Sequence, residues 1–305
     1  MEILTLKGVS KQFGELEVIK NLDFTVKEHS VFGFIGRNGA GKTTTMKMIL
    51  GFLAPTKGEI LVCNEKVSYG NTKTNRVIGY LPDVPEFYGY MKPGEYLNLC
   101  GELTGLSKAQ INRKKEELLS LVGLEGVNRR IKGFSRGMKQ RLGIAQALLN
   151  EPRLLICDEP TSALDPVGRK EILDILHVAK QHTTIVFSTH ILSDVERICD
   201  SIGVLNQGSL VLEGSVSDIK STGRGDIIQI EPAGMEYLER MNQKLRMLPF
   251  VTETVVKENK IEVHMGNAIS SGKEILGLLV REEIPVIRYE ILEPTLENIF
   301  LEVVT

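Results

Sequence analysis

The chain has 305 residues, and 37 Lys plus Arg against 39 Asp plus Glu leave a formal net charge of −2. That near-balance argues against a strongly basic nucleic-acid binder, whose affinity comes from clustered Lys and Arg. No apolar run approaches the roughly 18–20 residues needed to cross a bilayer, and MEILTLKGVSKQFG lacks the basic-then-apolar pattern of a secretory signal.

An apolar share of 42% and a charged share of 25% suit a globular chain of about two domains. The first 220 or so residues read as strands alternating with helices. Val31–Ile35 is a short apolar strand, followed by a Gly-rich turn and a helix over about Lys42–Leu50. Ile60–Val62 and Val77–Tyr80 are shorter strand candidates. Leu154–Cys157 and Thr184–Phe187 are continuous apolar runs, the pattern of a parallel sheet covered on both faces. From about Asp83 to Asn150 the pattern turns helical. Ser107 and Gln110 make a capping box for a helix carrying Ile111, Leu118, Leu119 and Val122, and a second helix covers about Met138–Leu149. A helical subdomain over about 84–150 is therefore inserted into an α/β core.

STGRG, Ser221 to Gly225, reads as a linker closing a first domain at about 1–220. In 221–305, Asp226–Ile230, Val251–Val256, Lys260–His264 and Pro285–Ile291 are strands. Met235–Leu245 and Gly272–Arg281 are helices, and a last helix covers about Leu296–Val303. The order is βαββαβ, a small ferredoxin-like α+β unit. His264 is solitary there and no Gly-rich anion loop appears, so regulation or dimer contacts are the expected uses. Cys63, Cys100, Cys157 and Cys199 form no C-x-x-C pair, which removes a zinc or redox motif and points to a reducing cytosol. Cys157 and Cys199 are expected as small buried hydrophobes.

The strongest motif is GRNGAGKTT: Gly36, Arg37, Asn38, Gly39, Ala40, Gly41, Lys42, Thr43 and Thr44. It fits G-x-x-x-x-G-K-[ST], with a strand before and a helix after. Glycines let backbone amides converge on an anion, and the helix N-terminus favours negative charge. Lys42 can reach β- and γ-phosphates, and the Thr43 hydroxyl can ligate Mg²⁺. In LLICDEP a buried strand ends in two carboxylates. Asp158 can hold Mg²⁺, and Glu159 can activate a water for attack on the γ-phosphate. These features define a P-loop nucleotide hydrolase.

FSRGMKQRL, from Phe134, resembles the signature segment of ABC ATPases through Ser135, Gly137, Gln140 and Arg141. SALD, ending in Asp165, resembles their D-loop, and STH, ending in His190, their switch histidine segment. Phe13 falls at the aromatic position that stacks on adenine. Taken singly, Phe13 also reads as a core aromatic and His190 as a structural histidine. The resemblance implies an ATPase whose sites are completed between two subunits set head to tail, Ser135 and Gly137 of one facing ATP held by the other. It implies a homodimer, or a pair with a homologous ATPase, and ATP with Mg²⁺ as cofactors. Where the family usually carries glutamine, this chain has Asp83, which keeps an oxygen for Mg²⁺ or the attacking water.

YLPD…FYGYM, GEYLNLCGELTGL and EPTLENIFLEVV resemble bacterial exporter-type ABC ATPases that handle drugs, antibiotics or peptides. The resemblance implies an integral-membrane permease as a separate subunit. It places the protein peripherally on the cytoplasmic face of the membrane, with Phe87, Tyr88 and Tyr90 at the docking face. An importer ATPase is the alternative. A DNA-repair relative is disfavoured, because no long coiled coil fits between Lys42 and Ser135, and a ribosome-acting relative because there is one cassette.

Overall fold

The computed structural model describes residues 1–71, 73–222, 227–292 and 295–304. The chain forms two compact units, 1–216 and 217–305.

The first unit opens with two long strands, β1 (Glu2–Phe13) and β2 (Leu16–Lys27), paired antiparallel. The sequence pattern did not announce them. Their pairing shifts register four times, and Gly8 and Asn21 take φ of 57° and 45°, so the two-residue alternation of a regular strand is broken. Next come β3 (Val31–Ile35), α1 (Lys42–Ile49), β4 (Lys57–Val62), β5 (Glu65–Lys66) and β6 (Ile78–Leu81). Three helices follow: α2 (Pro93–Leu103), α3 (Lys108–Leu121) and α4 (Arg136–Leu148). The unit continues with β7 (Leu154–Asp158), α5 (Pro166–Ala179), β8 (Thr184–Thr189), α6 (Leu192–Ile198), β9 (Ser201–Asn206) and β10 (Ser209–Ser215). The helix α7 (Val216–Thr222) crosses the boundary between the units.

Two sheets result. One has the order β2-β1-β4-β5 and is antiparallel. The other has six strands in the order β10-β9-β3-β8-β7-β6, parallel except for β10. Ile60–Val62 and Ile78–Leu81 look alike as short apolar strands, yet they belong to different sheets. Every residue of β3, β7 and β8 is buried, which is why these strands read as unbroken apolar runs.

The helix α1 lies in a core shared by both sheets. Met46, Met48 and Ile49 cluster there with Leu4, Phe24, Phe32, Phe34 and Ile156. Phe24 of β2 stacks on Phe32 of β3, with centroids 5.1 Å apart and planes 4° apart. This packing fixes the start of α1 at the end of β3. The capping box of α3 is present, with Ser107 Oγ accepting from the Gln110 amide at 3.4 Å and Gln110 Oε1 accepting from the Ser107 amide at 2.9 Å. The helix α4 begins at Arg136, two residues ahead of the sequence expectation, because Ser135 caps it through the Met138 amide at 3.2 Å.

The second unit runs β11 (Ile227–Pro232), α8 (Leu238–Arg246), β12 (Val251–Lys257), β13 (Lys260–Met265), α9 (Ala268–Arg281), β14 (Val286–Leu292) and α10 (Leu296–Val304). Its antiparallel sheet has the order β12-β13-β11-β14. Ile228, Ile230, Ile261 and Val263 pack against Met241, Leu245, Ile275 and Leu279. The helix α9 starts four residues before Gly272, where Asn267 Oδ1 caps the Ser270 amide at 3.0 Å. That cap outweighs the weak helix preference of Ser270, Ser271 and Gly272. Of the expected linker at 221–225, Ser221 and Thr222 belong to α7, and 223–225 lie outside the described residues.

Candidate functional site

The loop between β3 and α1 is shaped by close backbone packing. A Cβ on Gly36 would stand 2.6 Å from the Leu205 carbonyl oxygen, and one on Gly41 would meet Ile19 Cδ1. Gly41 also takes φ 112°, a left-handed conformation that side chains disfavour. It caps α1 with no side-chain hydrogen bond, so no side chain takes up the amides of the first turn. Such a turn suits an anion, and the dipole of α1 adds to it.

Lys42 is buried, with 6% of its surface exposed. Its Nζ donates to the Gly36 carbonyl at 2.7 Å and to that of Arg37 at 3.4 Å. The same Nζ lies 3.3 Å from Glu159 Oε1, and Glu159 Oε2 lies 2.9 Å from His190 Nδ1. One carboxylate thus joins the buried lysine to the half-exposed histidine.

The end of β7 is fixed from β8. Asp158 Oδ2 accepts from the Thr43 hydroxyl at 2.9 Å, and Asp158 Oδ1 accepts from the Ser188 hydroxyl at 2.6 Å. The Glu159 amide donates to Ser188 Oγ at 3.0 Å and to the Ser188 carbonyl at 3.1 Å. Ser188 is fully buried and holds both carboxylate residues, a role not read from the sequence. Glu159 has φ 49° and Ala163 φ 53°, both left-handed without being glycine. Burial, with the Asp158 charge next in effect, pushes the Tyr80 hydroxyl up to about 12, so it stays protonated near neutral pH. Burial also raises the Cys157 thiol far above its ordinary value, which leaves it an inert apolar filler.

Asn38, Gly39, Gly41, Lys42, Thr43, Thr44, Asp83, Asp158 and Glu159 line one cleft of about 440 Å³. Val18 of β2 lines it too, and nothing in its sequence context set it apart. Gly36, Arg37 and Ala40 belong to the loop but are not among the residues that line the cleft. Asp83 reaches the cleft, and Arg136, in the first turn of α4, donates to one of its carboxylate oxygens, Oδ1, at 3.0 Å. Phe13, Ser135, Gly137 and Asp165 are not among the lining residues. Phe13 ends β1 with 47% of its surface exposed and the Lys11 ammonium 4.9 Å from its ring centroid. Ser135 caps α4, and the nearest atom to a Cβ on Gly137 would be Leu164 Cδ2 at 3.8 Å. Asp165 caps α5 through the Gly168 amide at 3.0 Å. No cluster of three or more His, Cys, Asp or Glu suited to a metal occurs among the described residues. The Thr43–Asp158 oxygen pair is nevertheless the hard, sparse donor set that fits Mg²⁺, which takes most of its remaining ligands from phosphate and water.

The ABC transporter family model matches residues 19–162, and the model of the C-terminal domain of DrrA1-3-like ATP-binding proteins matches 214–304. The chain is 38% identical over 303 residues to the ABC transporter ATP-binding protein YxlF of Bacillus subtilis, covering 99% of each chain. It is 34% identical to the bacitracin transport ATP-binding protein BcrA of Bacillus licheniformis, covering 99% of this chain and 97% of that one. A dimeric post-hydrolysis state of the ATP-binding cassette MJ0796, bound to ADP and Pi, superposes with a TM-score of 0.64 at 26% identity, over 70% of this chain and 99% of that one. A glycine-seated lysine, a threonine–aspartate pair and a following glutamate at one cleft agree with these likenesses. The chain belongs to the ABC transporter ATP-binding proteins and is an ATP-binding ATPase subunit of a transporter.

Proposed function

We propose that this chain energises export across the cell membrane from the cytoplasmic face, working as a peripheral subunit with a separately made permease and engaging no nucleic acid. Residues 1–220 are the ATPase cassette and 221–305 an accessory domain. The observation that carries the hydrolytic reading is the Glu159 carboxylate set between Lys42 and His190.

Lys42 and the backbone from Gly36 to Thr44 hold the phosphates of ATP. Thr43 and Asp158 hold Mg²⁺, which neutralises phosphate charge when bound, and Asp83 can join that set. Glu159 takes a proton from the attacking water, and His190 fixes the γ-phosphate end of the site. Phe13 stacks on the base. Catalysis of this kind is mainly positioning and charge stabilisation. Ser135, Gly137 and Asp165 do not line the cleft of their own chain, which supports a site completed by a second subunit set head to tail. Closure of that pair around ATP and its reopening after hydrolysis drive the permease. The direction, export, is favoured by the likeness, along nearly the whole of both chains, to LnrL of Bacillus subtilis, which is named for linearmycin resistance.

The test has two arms. Glu159→Gln with ATP and Mg²⁺ is expected to double in mass by light scattering, and a strictly monomeric trapped variant overturns the paired site. Cells expressing the chain with the membrane protein encoded beside it are expected to retain less of an antibiotic than cells carrying Glu159→Gln. Greater retention indicates import.

A further inference from the structure

The segment Asn128–Phe134, NRRIKGF, anchors itself by its apolar residues and leaves its cations outside. Ile131 and Phe134 are buried, whereas Arg129, Arg130 and Lys132 are exposed. The aromatic turn ahead of α2 lies against this segment. Its Met91 amide donates to the Tyr88 carbonyl at 2.9 Å. The Ile131 amide donates to the Met91 carbonyl at 2.9 Å, and the Lys132 amide to the Gly89 carbonyl at 3.0 Å. A Cβ on Gly89 would stand 3.2 Å from that of Lys132. Tyr88 and Tyr90 are exposed with ring centroids 5.9 Å apart, so two open tyrosines and two open cations flank the same pair of backbone hydrogen bonds.

In a chain of net charge −2 these cations are a local excess. Among the described residues Arg129, Arg130 and Lys132 form no ion pair, whereas Arg136 nearby is paired with Asp83. Arg129 lies instead over the Phe134 ring, 5.6 Å from its centroid, and donates to Met138 Sδ. Resting on the permease partnership proposed above, we propose that this surface receives an acidic cytoplasmic segment of the permease. Its carboxylates face Arg130 and Lys132, and its apolar residues face Tyr88 and Tyr90. Tyrosine and arginine are the residue types that anchor protein interfaces, because each joins a flat apolar surface to a polar end. The uncompensated charge acts at longer range. It speeds encounter with an acidic segment, and it turns away a permease whose segment is basic.

The test uses the full-length chain and the membrane protein encoded beside it, purified in detergent, with association followed by surface plasmon resonance. Arg130→Glu/Lys132→Glu is expected to slow association roughly tenfold or more, and Arg130→Gln/Lys132→Gln to fall between that and the wild type. Arg130→Lys/Lys132→Arg keeps the charge and is expected to bind as the wild type does. So is Lys27→Glu/Lys57→Glu, which changes the net charge equally but elsewhere. Raising NaCl from about 0.1 to about 1 M shortens the screening length from about 10 to about 3 Å, and is expected to weaken the wild type far more than the reversed variant. Changing Asp to Asn and Glu to Gln in the cytoplasmic loops of the permease is expected to reproduce the loss. Thermal unfolding and basal ATPase of the free chain are expected to be the same for all variants. A wild type that binds the permease no faster than the reversed variant, or at a rate indifferent to salt, overturns the proposal and leaves the partnership standing. A wild type that does not bind at all overturns the partnership itself. Vesicles of phosphatidylcholine and phosphatidylglycerol form the last arm. If the reversal abolishes binding to these while permease binding persists, the surface takes anionic lipid and the proposal falls.

Discussion

Glu159 contacts Lys42 through one carboxylate oxygen and His190 through the other, at 3.3 and 2.9 Å. The carboxylate beside the buried Lys42 ammonium neutralises a charge that burial would otherwise leave uncompensated. Glu159→Gln is expected to lower ATP turnover by about 10²–10⁴-fold, the usual span of a general base, while ATP binding persists. Lys42→Ala is expected to abolish binding itself. Phosphate release and titration with a fluorescent nucleotide separate the two effects.

Ser188→Ala probes the support behind the two carboxylates. The hydroxyl donates to Asp158 and accepts from the Glu159 amide, and the residue is fully buried. Its loss is expected to cost about 1–3 kcal/mol of stability, because two buried polar groups lose a partner. Turnover is expected to fall by up to about a hundredfold through misplacement of Glu159, with a smaller change in KM for ATP. Equal loss of turnover and binding would assign Ser188 to phosphate contact instead.

The aromatic face divides into a partly buried member and open ones. Phe87 meets Tyr96 edge to face, with centroids 5.1 Å apart, whereas Tyr88 and Tyr90 are 56% and 67% exposed. Phe87→Ala is expected to loosen the helical subdomain, since such a ring pair is worth about 0.5–1.5 kcal/mol beyond its buried area. Tyr88→Ala with Tyr90→Ala is expected to spare folding and basal ATPase and to uncouple transport. Undiminished efflux with the double variant would remove these rings from the docking face.

Phe32→Ala tests the core behind the loop. Phe32 is 1% exposed, stacks on Phe24 and belongs to the cluster that holds α1. Truncation is expected to cost about 3–5 kcal/mol in chemical denaturation. ATP binding is expected to weaken with it, because the same cluster fixes where the loop ends and α1 begins.

The strand, loop and helix around Lys42 were legible from sequence because three local signals agree: a fully apolar run, glycines at the turn and a helix start. The antiparallel pair β1 and β2 was not, because bulges and two left-handed residues hide its alternation. Nor could short strands such as β4 and β6 reveal which sheet they join, since sheet membership depends on partners distant in the chain. The cleft shows the same division. Its phosphate loop follows a local spacing, but the grip of Arg136 on Asp83 links residues 53 apart and left no trace in the pattern. Ser188 acts on Asp158 from 30 residues away, and a lone serine at a strand end carries no local sign of that.

The two left-handed residues after β7, Glu159 and Ala163, set stability against output. Each such conformation costs on the order of 1–3 kcal/mol when the residue is not glycine. Glycine relieves that cost but adds freedom to the unfolded chain. At 163 the exchange removes only a methyl group, so selection for heat-hardy forms has room to accept it. At 159 the same relief deletes the acid, and a more durable protein would be an idle one. Laboratory evolution for heat tolerance alone would drift toward inactive cassettes at this turn, and only a screen that also demands phosphate release would keep the strained residue in place.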